Sequence, residues 1–123
     1  MATLAGGYAD GMSDPTPLLF AADRLADRFR SMPQRRLTQL APEGLRLARR
    51  LARQEEAVAG GPARSELPDA GIFAVGDQIA LAAHDLAEAL RDADREEAEQ
   101  VLAEALAAVE DGYRLATTRS ARM

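Results

Sequence analysis

The stretch LAEALRDADREEAEQVLAEAL, Leu86 to Leu106, decides the fold, because it reads either as the middle of one long helix or as two helices meeting at a turn. Neither glycine nor proline interrupts it, but the phase of the apolar residues does. Ile72, Val75, Ile79, Ala82, Ala83, Leu86 and Leu90 share one helical face, and Ala98, Leu102, Ala105, Leu106, Val109, Tyr113 and Ala116 share the next. If one helix continued at about 100° per residue, the second stripe would be rotated by roughly 140° from the first, and the helix would need partners on two sides. A break between Asp92 and Arg95 lets both stripes face a single core. Asp94, with Glu97 three residues on, resembles a capping box in which Asp takes the usual Ser or Thr role. The pattern therefore predicts a helix ending near Asp92 and another starting after Asp94, an αα-hairpin with a very short turn.

Working back toward the N-terminus, the third helix begins between Asp69 and Asp77, either of which can cap it. Gly60, Gly61 and Pro62 stop the helix before it, and the segment through Gly71 is the longest internal loop. That second helix is expected to open at Pro42 and run to about Ala59, preceded by a short helical piece or turn over residues 33–41 carrying Leu37 and Leu40. Leu47, Ala48, Leu51 and Ala52 occupy its apolar arc. The first helix starts at the Asp14-Pro15-Thr16-Pro17 signal and carries Leu18, Ala22, Leu25, Phe29 and Met32 at alternating steps of four and three, until Pro33 ends it. Phe20 lies off that stripe. Leu81 likewise lies on the polar face of the third helix, with Asp77, His84, Asp85, Glu88 and Asp92.

These elements predict an all-α fold, an up-down four-helix bundle spanning residues 15–117. Residues 1–14 read as a flexible arm, in which Leu4 and Tyr8 are candidates for docking, and residues 118–123 as a frayed tail. The stripes are rich in alanine, which buries little area per residue. Two αα-hairpins completing a bundle as a homodimer are therefore the second arrangement, and periodicity alone does not separate the two.

Composition narrows the chemistry. All fifteen basic residues are arginine, cysteine and tryptophan are absent, and His84 is the single histidine. Disulfides, thiolate metal sites and lysine nucleophiles are excluded. The first residues carry no basic, apolar leader pattern and no segment has the length of a membrane span, so the expected location is the cytoplasm, away from membranes. His84 and Glu88, at i and i+4 beside Asp77, Asp85 and Asp92, put too few convergent ligands on one helix to hold a metal. The expectation is a protein that is not an enzyme, with no catalytic residue, no metal and no cofactor. A metal- or nucleotide-dependent enzyme at the acids around the turn (Asp85, Glu88, Glu96, Glu99) is the third reading.

Charge supplies the one sharp functional signal. The chain has a net charge of -5, yet residues 24–53 contain nine arginines and only two acids, Asp27 and Glu43. Within LRLARRLARQ, Leu45 to Gln54, Arg46, Arg49, Arg50 and Arg53 form a stripe opposite the apolar arc. Such a stripe is a solvated or internally paired helix face, a contact for an acidic protein, or a row of phosphate ligands. Nucleic acid is disfavoured by the overall negative charge, the scarcity of aromatics for stacking and the lack of helix-turn-helix spacing. The sequence thus favours a non-enzymatic interaction or regulatory module binding a protein partner. Its polar contacts would be Arg46, Arg49, Arg50 and Arg53, and its apolar anchors Phe20 and Leu81. A nucleic-acid-associated regulator using the same arginines is the alternative.

Overall fold

The structure is a computed structural model, described for residues 14–62 and 66–118. Residues 1–13 of the expected arm, Leu4 and Tyr8 included, and residues 119–123 of the expected tail lie outside the described residues. Among the described residues the fold is all-α, a helical bundle of four helices: α1 (Thr16–Arg30), α2 (Gln34–Ala59), α3 (Val75–Leu90) and α4 (Arg95–Thr117). A 3-10 turn, Ile72–Ala74, leads into α3.

Each apolar stripe goes inward. Leu18, Leu25, Leu51, Ile79, Leu86 and Val109 are almost completely buried, and together with the alanines between them they form one core drawn from all four helices. Four helices of one chain close this core, so a second copy is not needed to complete it. No polar or charged residue is buried among the described residues, so the core carries no desolvated charge that must be compensated.

Residues 91–94 form the expected break, and the Asp94 carboxylate accepts from the backbone N–H groups of Glu96 (3.1 Å) and Glu97 (3.3 Å), satisfying two of the unpaired donors of the first turn of α4. The first helix also starts as expected, with Asp14 accepting from the N–H and hydroxyl of Thr16. Those two bonds hold the Asp14 carboxyl below its ordinary pKa.

Three local expectations are corrected. Pro42 does not open a helix; it sits inside α2, which runs unbroken from Gln34. Its missing N–H leaves the Thr38 carbonyl without a helical partner, but both residues are exposed, so solvent takes the bond. The gain that outweighs this loss is a buried stripe continuing straight through: Leu37, Leu40, Ala41, Gly44, Leu45, Ala48 and Leu51. Leu47 and Ala52, expected at the core, are only half-buried on its flanks. Finally, neither Asp69 nor Asp77 caps α3. Its cap position is Ala74, while Asp69 accepts from the Gly71 N–H and Asp77 accepts from Arg30 Nη2 at 2.8 Å.

The first helix scarcely touches α2, and α3 scarcely touches α4. The most extensive contact is α2 with α3, then α1 with α3 and α1 with α4, and α2 meets α4 far more sparsely. The short turn after α3 is thus present, but α3 and α4 diverge from it instead of lying side by side. Closeness within the tight contacts depends on small residues. A Cβ on Gly44 would overlap Val75 Cγ1 and come within 2.9 Å of Phe29 Cζ, and one on Gly76 would come within 2.9 Å of the Ala26 carbonyl oxygen.

Candidate functional site

The sparse contact between α2 and α4 leaves a groove of about 390 Å³. Its floor is apolar, built from Leu25 and Phe29 of α1 beneath Leu40, Gly44 and Leu47 of α2 and Gly112, Leu115 and Ala116 of α4. One wall carries Glu43, Arg46, Arg50 and Arg53; the other offers Ala108 and Asp111. The two helices run antiparallel here. Arg36, near the start of α2, donates to the carbonyls of Leu115 (3.2 Å) and Thr118 (2.7 Å), groups that the end of a helix leaves without partners, and so fixes the C-terminus of α4 over one end of the groove. At Gly112 a Cβ would stand 3.2 Å from Leu25 and 3.3 Å from Leu47, so the bare glycine keeps this part of the floor open.

Folding divides the arginine stripe. Arg49 is the most sheltered of the four: its Nε donates to the Leu67 carbonyl at 2.8 Å and lies 3.4 Å from Glu66 Oε2. Arg53 takes the other oxygen of the same carboxylate at 3.1 Å. These bonds, with Gln78 Nε2 donating to the Pro68 carbonyl, strap residues 66–68 across α2 and α3. Arg46 is bonded to Glu43 one turn earlier, and that hydrogen bond, reinforced by the charge, raises the Arg46 pKa above its ordinary value. Arg50 makes no hydrogen bond or ion pair among the described residues. On the facing wall Asp111 is bonded to Arg114 one turn on, so it does not reach across to Arg50.

Phe20 and Leu81 are exposed, as their off-stripe positions imply, but neither lines the groove. Phe20 lies beside Arg24, whose guanidinium carbon is 6.0 Å from the Phe20 ring centre and 4.2 Å from that of Tyr113. Leu81 stands on the outer face of α3. Sequence reasoning missed two further exposed apolar side chains, Phe73 and Leu115. Leu115 is four-ninths exposed and sits on the groove; its signal was obscured because it belongs to no apolar stripe.

The histidine and the acids around it are engaged elsewhere. His84 Nε2 lies 3.2 Å from Asp23 Oδ1, linking α3 to α1, and Arg30 bridges Asp27 and Asp77. Among the described residues no three His, Asp or Glu side chains gather as a metal site would require, and no helix is long and apolar enough to cross a membrane. No known protein family matches the chain, and neither a curated protein nor a solved structure matches it.

Proposed function

We propose that the protein is a non-enzymatic contact module of the cytoplasm, an adaptor or regulator whose α2–α4 groove receives a protein partner. The observation that supports this reading is the combination, in one open groove, of an apolar floor and an arginine wall that includes Arg50, a cation with no partner among the described residues. Apolar area surrounded by a few polar groups is the composition of a contact surface, with floor residues supplying area and the guanidiniums supplying orientation. A row of phosphate contacts is less well supported, because the chain carries a net charge of -5 and the groove offers Phe29 as its one aromatic side chain for stacking a base.

The test is affinity capture of tagged protein from its own cell extract, with and without nuclease, beside the Arg46→Glu/Arg50→Glu double variant. The reading expects a protein that survives nuclease and is lost with the variant. A partner lost on nuclease treatment would turn the reading to nucleic acid, and identical capture by both proteins would remove the groove from the interaction.

A further inference from the structure

We infer that the occupant of the α2–α4 groove is a single amphipathic helix with carboxylates along one flank, laid lengthwise against Arg46, Arg50 and Arg53. This rests on the contact-module reading above and specifies the chemistry of the partner.

Shape and charge both lead there. The groove follows two antiparallel helices, about 20 Å along α2 from Leu40 to Arg53 and about 12 Å along α4 from Ala108 to Ala116 at 1.5 Å per residue. It is a long furrow between helical ridges, and another helix fills such a furrow with side chains at i, i+3, i+4 and i+7. Leu47 and Leu115 are only partly covered and would gain most from an apolar stripe above them. The arginine wall repeats at i, i+4 and i+7, so its guanidiniums recur roughly once per helical turn, the interval at which a docked helix presents carboxylates on one flank. Arg46 and Arg53 already hold Glu43 and Glu66, so a docked carboxylate there replaces an existing partner, and Arg50 is the member of the row that bonds to nothing among the described residues. The facing wall carries no arginine: Asp111, bonded to Arg114, stands there instead, so a docked acid would find no cation on that side. The partner helix therefore carries its acids on the α2 side and neutral or basic residues on the α4 side, which fixes its orientation as well as its charge.

Three synthetic peptides probe this against the full chain. All share one leucine stripe at helical spacing, and one flank bears glutamate, lysine or glutamine. Each is titrated to ~1 mM, enough to register even a millimolar complex, while amide NMR signals are followed. The glutamate peptide is expected to shift the signals of Gly44, Gly112 and Leu115 and to lose about tenfold in affinity with Arg50→Glu. Arg50 is exposed and makes no hydrogen bond or ion pair among the described residues, so that variant is expected to keep the wild-type circular dichroism and spectrum elsewhere. Equal shifts from the lysine peptide would overturn the acidic helix while leaving the groove as a contact site. No groove shifts from any peptide, or shifts confined to Phe20 and Leu81, would overturn the inference. Groove signals that change with protein concentration alone would also overturn it, in favour of a second copy of the chain. Loss of the captured protein in the Arg46→Glu/Arg50→Glu experiment tests the underlying reading separately.

Discussion

The two flanks of α2 differ. Toward α3 the helix packs tightly: Gly44 lets it approach Val75 too closely for a side chain, and Arg49 on that side is committed to Leu67 and Glu66. Toward α4 the contact is sparse, Leu47 is half-covered, and Arg50, adjacent in sequence to Arg49, bonds to nothing among the described residues. Two neighbouring arginines thus end in opposite roles, one holding the fold together and the other facing an unfilled groove. A charge stripe read from sequence is one object; its division into structural and available cations is made by what the rest of the chain brings alongside.

The contrast should be largest in stability. Leu51→Ala, at a fully buried position, is expected to cost about 2–5 kcal/mol in denaturant unfolding, the range for a leucine lost from a close-packed core. Leu47→Ala on the groove flank should cost less, about 1–2 kcal/mol, since its side chain is only partly buried at the edge of the core. Comparable losses at both positions would mean that the α4 flank is as well packed as the other.

The glycines sharpen the same comparison at a smaller scale. Gly44→Ala should destabilise by about 1–3 kcal/mol, because the new methyl overlaps Val75 on the tight side. At Gly112 the methyl meets only the tips of Leu25 and Leu47, and the helix gains about 1 kcal/mol of propensity from alanine, so unfolding should change by less than ~1 kcal/mol in either direction. A third pair separates the arginines. Arg49→Ala should cost about 1 kcal/mol for its part-buried bond to Leu67 and speed protease cleavage within residues 60–71, whereas Arg50→Ala should leave stability within ~0.5 kcal/mol and cleavage unchanged.

Much of the fold was legible because it depends on local phase. The rotation between the stripes around Ile79 and Leu102 placed the break, and Asp94 announced the new helix by a cap that the structure retains. Pro42 was misread because a proline more often begins a helix than interrupts one. The correcting signal was nevertheless present, since Leu37, Ala41, Leu45, Ala48 and Leu51 keep helical spacing across it. Less of the site was legible. The arginines stood out from their number and spacing, but Glu66 and Leu67 lie thirteen or more residues from them, and Gly112 and Leu115 reach the groove only through the pairing of α2 with α4. In the sequence Gly112 lies within a helix whose stripe continues through Tyr113 and Ala116; in the structure it leaves space.

Photo-crosslinking in cells tests the central claim most directly. A photoreactive side chain replaces either Leu115, on the groove, or Leu81, which is more exposed still on the outer face of α3. The account predicts a discrete adduct with another protein from position 115 and none from position 81. An adduct from position 81 alone, an adduct between two copies of this chain, or none from either position would contradict it.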